Sequence, residues 1–501
     1  YMYTPEEGLE GRFPGIGTLT RGKYGYIPRS RYLFDPGVNK NTDNEADFEY
    51  QFSHKFNKNW EFQQTFRYED SWSNLNSLYL RQGLQADGET YPRAAWSGSS
   101  TQKTIGLDSR MIGHVNTGPV SHTLVAGVDF RKINWTQNLA YQTRGIPSIN
   151  VWDPTYYNVH PCYELTCQNA VSMQNINVNL FQKGVYFQDQ IKFGKLSVLL
   201  GGRQDWYNYG STSFDQDKDV GSQSAWADPY HGAQRDSSLK FTWRAGLTYN
   251  FDFGLTPYFS YATSFLPQVG YFNANGQPAK PLTGKQFEAG LKYLVPHTDV
   301  LLTAAAYHIK ENHYQIDDPE NPGQEIDAGT VTSKGVELSA HANITRDLHL
   351  TASYTFNETR ITKSDTMVES YDMAGNDLGE VPEQGKYVGG LPRNMVNMFV
   401  DYTLPQKIFR GLGINFGARY IGSSYADNAQ SYKVPQYILF DAGAHFDFKN
   451  LSSSLKGLQA RVAMSNFANT RYVSGCGTSG FGGTCTCGQG RGVYGNLSYS
   501  W

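Results

Sequence analysis

The chain has 501 residues, 43 Lys and Arg against 46 Asp and Glu, and 14% aromatic side chains. No run reaches the roughly 18 apolar residues of a membrane-crossing helix, which excludes a helical membrane protein, and the balanced charge argues against a nucleic-acid footprint. A mean hydropathy of −0.52 beside so many aromatics suits apolar residues spread as a thin belt, the pattern of a transmembrane β-barrel.

The chain opens on Tyr1-Met2-Tyr3 inside what reads as a loop, with no signal-peptide pattern, so a segment upstream is expected. Residues 1–45 read as a loop region and 46–501 as barrel. Alternating apolar and polar segments predict strands at 46–56, 60–68, 103–115, 121–131, 184–193, 195–203, 239–249, 256–265 and 286–293. The series continues at 300–310, 335–344, 348–356, 397–404, 412–420, 438–448, 458–467 and 493–501, about 17 strands in all. Short turns such as Asn116-Thr117-Gly118-Pro119 alternate with long connections such as 133–183 and 467–492. Short turns on one side and long loops on the other is the layout of an outer-membrane barrel.

The two faces of each strand say where it lies. From Leu239 the odd positions read Leu, Phe, Trp, Ala, Leu, Tyr and the even ones Lys, Thr, Arg, Gly, Thr, Asn. Phe241, Trp243 and Leu247 are expected to face lipid, and Lys240 and Arg244 an aqueous lumen. Unpaired edge amides in hydrocarbon would cost about 2–7 kcal/mol each, so the sheet must close. With the C-terminus on the short-turn side, 17 strands place residues 1–45 on the long-loop side. An even-stranded barrel then needs an odd number of further strands.

Five cysteines fall in two loop stretches: Cys162 and Cys167, then Cys476, Cys485 and Cys487. Such close spacing suits small disulfide rings in an oxidising compartment. A Cys162–Cys167 ring is expected, with Cys476 paired to Cys485 or to Cys487. His308, His313, His341, His349 and His445 read as solvated polar residues, and no metal site is assigned. No nucleophile, base and acid are grouped as catalysis requires, so an enzyme is not expected.

Collinear segments across the whole chain resemble TonB-dependent siderophore receptors, especially the ferrichrome and hydroxamate branch. They include GVYFQDQ (184–190), GGRQDW (201–206), GKQFEAGLKY (284–293), KGVELSAHANI (334–344), ARYIGSSYADNAQS (418–431) and RYVSGC (471–476). One departure is Asn466-Phe467-Ala468-Asn469, where the family has Asn-Leu-Phe-Asp. The resemblance implies a 22-stranded barrel filled by an N-terminal plug, with the plug and first strands absent from this sequence. It implies an outer-membrane receptor of a Gram-negative bacterium that binds ferric siderophore and takes it up with TonB energy. Iron would then enter only as cargo, with no resident cofactor. Outer-membrane lipid or lipopolysaccharide surrounds such a barrel, and the TonB contact lies in the plug. Carried over by position, Tyr1, Tyr3 and Phe265 match mouth aromatics that contact ligand, and Trp152 and Tyr156 fall in an equivalent loop. Phe265 shares its parity with the lipid-facing set and reaches a pocket only if the chain turns inward near Pro267. The alternatives are a passive porin-like channel, or a receptor of the same class for haem, cobalamin or a sugar. Phe265-Leu266-Pro267-Gln268 lacks the Arg-Ala-Pro that follows this Phe in haem receptors of the superfamily.

Overall fold

A computed structural model describes residues 2–7, 12–81, 83–164, 171–218, 225–268, 279–317, 325–404, 411–477 and 482–500. Eighteen strands form one antiparallel sheet. They are β1 (Met2–Glu7), β2 (Lys40–Lys55), β3 (Trp60–Leu80), β4 (Arg93–Thr117), β5 (Val120–Gln142), β6 (Val171–Phe193), β7 (Leu196–Lys218), β8 (Ala225–Tyr249) and β9 (Leu255–Leu266). Then follow β10 (Leu282–Leu294), β11 (Asp299–Asp317), β12 (Glu325–Asn343), β13 (Leu348–Lys363), β14 (Asn394–Thr403), β15 (Leu412–Ile421), β16 (Tyr437–Asp447), β17 (Leu458–Ser465) and β18 (Gly492–Tyr499). Each strand pairs with its neighbours in sequence, from β1 on β2 to β17 on β18.

All 17 expected strands are present, and the boundary at residue 45 moves. Met2–Glu7 is itself a strand, paired with residues 40–45 of β2, so the sheet has eighteen strands. The sequence hides this pairing because Thr4-Pro5-Glu6-Glu7 and Asn41-Thr42-Asp43-Asn44 are almost wholly polar. Where neither face meets lipid, no alternation is imposed.

Side-chain alternation follows the expected faces. Phe48, Tyr50 and Phe52 on β2, Val128 and Phe130 on β5, Val185 and Phe187 on β6, and Phe241, Trp243 and Leu247 on β8 are all exposed. The opposite face carries ion pairs, among them Arg67 with Asp47 and Arg203 with Asp129 and Asp205. Apolar outside and charged inside is the inverse of a soluble barrel, and it fits hydrocarbon around a wet lumen. The short-turn end uses minimal connections: Gly118-Pro119 joins β4 to β5 and Gly194-Lys195 joins β6 to β7. Gly194 sits at φ +57°, a conformation that only Gly adopts freely.

The long-loop end does contain conventional cores. One gathers Phe13, Ile27, Leu33, Tyr91, Ile149 and Val151, and a second Phe34, Val38, Leu78, Ala95 and Val159. A third joins Val434, Val473 and Cys485. Arg12–Pro14 pairs with Thr484–Cys487, which in turn pairs with Val473–Gly477. The first of these segments follows β1 and the other two precede β18, the two ends of the sheet. The wall therefore curls until the loops of its first and last strands meet in one small sheet.

Candidate ligand-binding mouth

The mouth is built by the loops at the long-loop end, here called the cap. Its folding rests on a buried polar knot beneath the second core. Asp35, wholly buried, accepts hydrogen bonds from the Gly37 and Asn158 backbone amides at 2.8 and 3.3 Å. Asn39 donates to Ser77 Oγ at 2.8 Å, and Arg93 donates to the carbonyls of Pro147 and Phe34 at 2.9 and 3.3 Å. The Asn158, Ser77 and Phe34 contacts tie the first loop to the 143–164 loop, β3 and β4, and Arg93 joins β4 to the 143–164 loop, so buried groups that would be costly alone become fasteners.

The rim of this cap is a hairpin tip at Gly22–Gly25, closed by reciprocal backbone hydrogen bonds of 2.7 and 3.1 Å. It presents Lys23 and Tyr24, which both donate to Glu89 Oε1 at 2.6 and 2.7 Å. The Lys23 bond, followed by those from Tyr24 and Asn150, lowers the Glu89 carboxyl below its usual range. Asp87, held chiefly by the Thr90 side chain and then by the Thr90 and Glu89 amides, is depressed to about 2.

Of the expected ligand contacts, Phe265 has the most telling geometry. The β8–β9 ladder runs only from Thr248↔Tyr258 to Arg244↔Ala262. At the next step the Thr263 hydroxyl takes the place of backbone, accepting from Trp243 N at 2.8 Å and donating to Trp243 O at 3.2 Å. Beyond that point β9 stays paired only with β10. Phe265, half-buried, lies 6.3 Å from the Tyr207 ring at 23° between planes. Tyr207 is buried and shares the alternation set of Arg203 and Asp205, on the inner face. Phe265 keeps its register against Thr283 of β10, and where β9 parts from β8 its ring packs on Tyr207 of the inner set, while Leu266 remains exposed.

Trp152 and Tyr156 serve the cap itself. Trp152 packs on the first core, meets Tyr24 edge-on at 5.4 Å and donates Nε1–H to Gly88 O at 3.0 Å. Tyr156 packs on the same core and donates its hydroxyl to Tyr32 O at 2.7 Å. Tyr1 lies outside the described residues; Tyr3 is on β1, with its side chain outside them.

The alternative left open for the cysteines resolves to a Cys476–Cys485 disulfide, and Cys487 carries a free thiol that burial pushes up. Cys162 is disulfide-bonded, while Cys167 lies outside the described residues. The histidines are scattered: His313 bonds Pro281 O at 2.8 Å, His349 bonds Asn343 at 2.7 Å, and His445 lies 3.6 Å from Asp401. Among the described residues, no three His, Cys, Asp or Glu side chains come together as a metal centre.

Two features escaped sequence reasoning. One is the staple between the first and last loops: Arg29 donates to Thr470 O at 3.0 Å and Asn469 Oδ1 at 2.7 Å, and Arg471 donates to Ile27 O at 3.0 Å. The other is the role of the Asn466-Phe467-Ala468-Asn469 segment. Asn466 and Asn469 sit at φ +45° and +54°, which Asn tolerates better than most residues. Buried Asn466 receives Thr470 N at 2.8 Å and donates to the carbonyls of Thr470 and Gln489, both at 3.0 Å. Two Asn three apart at the end of a strand was the available signal for this turn.

Residues 6–467 match the family described as TonB dependent receptor-like, beta-barrel. The chain is 28% identical over 502 residues to the ferrichrome outer membrane transporter/phage receptor of Escherichia coli K12, covering 95% of this chain and 61% of that protein. It is 28% identical to the ferrioxamine B receptor of Salmonella typhimurium, covering 99% and 64%. It therefore spans about three fifths of the length of these curated relatives. Its fold matches the crystal structure of the siderophore receptor PiuA of Acinetobacter baumannii with a TM-score of 0.74 at 19% identity, covering 93% of this chain and 66% of that one. The ferric-catecholate import receptor Fiu of E. coli matches at 0.73 and 20%, covering 99% and 69%.

Proposed function

The chain belongs to the TonB-dependent receptor-like β-barrel family, and from that premise we propose that it is the barrel portion of an outer-membrane receptor for a ferric siderophore of the hydroxamate class. The observation that carries the reading is the packing of Phe265 on Tyr207, a ring of the inner face, where β9 parts from β8. A ferric hydroxamate is compact, roughly neutral and oxygen-rich at its surface. Rigid aromatic faces with a few hydrogen-bond donors suit it, because rings supply contact area at low entropic cost. Ligand enters between the cap loops and contacts Phe265, with Tyr1 and Tyr3 as further contacts. Trp152 and Tyr156 act from behind by holding the loops.

Iron is cargo in this scheme, chelated by the siderophore throughout, and the barrel supplies no resident cofactor. Release toward the periplasm is energised by TonB through a plug segment. The family relationship is one of transport receptors, which supports a chemistry of binding and release.

Tryptophan fluorescence of the full-length receptor titrated with ferric ferrichrome and ferric ferrioxamine tests the reading. Saturable quenching at micromolar ligand or below is expected, and no quenching with either would overturn the substrate class. Liposome swelling separates the receptor from a passive channel: no sugar flux is expected of the full-length protein.

A further inference from the structure

Three polar side chains from three neighbouring strands join on the lipid-facing side of the wall, at its short-turn end. Thr117 closes β4, His122 lies on β5 and Asp189 on β6. His122 shares the outward set of Val128 and Phe130, and Asp189 that of Val185 and Phe187. Thr117 stands opposite Val120, of the same outward set as His122. The Thr117 hydroxyl lies 2.9 Å from His122 Nε2, and His122 Nδ1 lies 2.8 Å from Asp189 Oδ2. Sequence spacing hides the group, because Asp189 follows His122 by 67 residues and no motif links them.

This arrangement fixes the proton. An ionised Asp189 accepts from Nδ1–H, which leaves the Nε2 lone pair facing the Thr117 hydroxyl. Asp189 stands directly between Leu124 and Leu200, and its Oδ1 is shielded with no hydrogen-bond partner among the described residues. A carboxylate among leucines is costly, and its visible effect is to orient one imidazole. Thr117 is exposed beside the Gly118-Pro119 turn, while His122 and Asp189 are half-buried. Phe193, opposite Val120, and Phe251 and Phe253 on the β8–β9 turn are exposed aromatics at the same end. Such a girdle marks the boundary between acyl chains and water. The group therefore lies at the depth where a phospholipid carries its ester bonds.

We propose that Thr117, His122 and Asp189 form an acyl-transfer site that cleaves the acyl esters of phospholipids in the periplasmic leaflet. Thr117 Oγ attacks the ester carbonyl carbon while His122 Nε2 takes the hydroxyl proton. The tetrahedral adduct collapses, the C–O bond to glycerol breaks, and His122 returns the proton to the leaving alkoxide. The products are a lysophospholipid and an acyl ester on Thr117. Water, deprotonated by the same Nε2, then releases the fatty acid, and the proton restores the Thr117 hydroxyl. Asp189 is a positioning residue that holds the tautomer and steadies the imidazolium formed in each half-reaction. The substrate arrives laterally from the bilayer, with its acyl chains along Leu124, Val128 and Leu200. The outward parity keeps the site off the lumen, so it acts apart from cargo uptake.

The test uses the full-length receptor in mixed micelles with dioleoylphosphatidylethanolamine, following oleate and lysolipid by mass spectrometry and mapping a fluorophosphonate label by peptide. Slow release of both products and labelling at Thr117 are expected. Turnover should fall about a hundredfold in Thr117→Val and in His122→Ala, and Thr117→Ser should retain it. Asp189→Asn should lower turnover and move the midpoint of its pH profile down, because the imidazolium loses its carboxylate. His114→Ala, on the inner face of the same hairpin, should act as the parent does. Heat-modifiable mobility in gels confirms that each variant is folded, and Thr117, exposed at a turn, is the one least tied to folding. Quenching by ferric ferrichrome should be unchanged in Thr117→Val, which separates failure of this proposal from failure of the receptor reading. No product from the parent overturns the proposal, as does a label placed elsewhere, or parent-like turnover in Thr117→Val or His122→Ala.

Discussion

Val128 and Val151 are the same side chain put to opposite uses. Val128, on the wall, is 54% exposed, and Val151, in the cap, is 0% exposed. The wall obtains its order from backbone ladders and from lipid, which takes the place of a protein core. The cap stands in water and must bury its own apolar residues, which it does around Ile27, Phe34, Leu78 and Tyr91. One chain therefore obeys two rules of burial, and the change from one to the other occurs near the ends of the strands. Phe265 lies at that change.

The comparison predicts that damage to one region spares the other. Phe34→Ala empties the second cap core and should destabilise the cap by about 3–5 kcal/mol. Loops should become sensitive to limited proteolysis while heat-modifiable barrel mobility is kept; loss of both together would show that cap and wall are one cooperative unit. Val128→Arg places a charge on the lipid face and should cost about 2–4 kcal/mol of barrel stability near mid-bilayer, read by denaturant unfolding in lipid vesicles. Gln190→Arg, on the inner face, should cost far less, and equal costs would put lipid on the wrong side of the sheet.

Asn466→Ala should come next, at about 1–3 kcal/mol, because it strands buried carbonyls and amides in a left-handed turn. Its signature is faster hydrogen exchange in 466–491 and, through Arg29, in 12–39. Acid should produce the smallest change. The Asp87 carboxyl is depressed to about 2 from 3.8, so its contribution is present above pH 4 and fades as pH falls toward 2. Asp87→Asn should remove that pH dependence from exchange at 87–90 and leave the wall unaffected.

The wall was legible in the sequence because lipid on one face and water on the other imposes a two-residue period. Phe241, Trp243 and Leu247 announced their own orientation. The cap was far less legible: its short strands, such as Arg12–Pro14 and Thr484–Cys487, are fixed by partners more than 450 residues away, and a three-residue strand carries no period. The packing of Trp152 and Tyr156 on the first core was equally hidden, since an aromatic in a loop carries no periodic signal of what it packs on. For Phe265 parity alone pointed to lipid, and Pro267 was the only hint that the ladder ends nearby. The deciding contact was the Thr263 hydroxyl on the Trp243 backbone, which no local pattern encodes.

The central claim is that the wall is scaffold and that binding begins where β9 parts from β8. Titration of the full-length receptor with ferric ferrichrome, comparing Phe265→Ala with Phe259→Ala, tests it on a single strand. Phe259, six residues earlier, is exposed on the lipid face. Loss of a buried aromatic contact of about 1.5 kcal/mol predicts roughly tenfold weaker binding for Phe265→Ala, with Phe259→Ala indistinguishable from the parent. Equal affinity for all three proteins, or weakening by Phe259→Ala alone, would contradict the account.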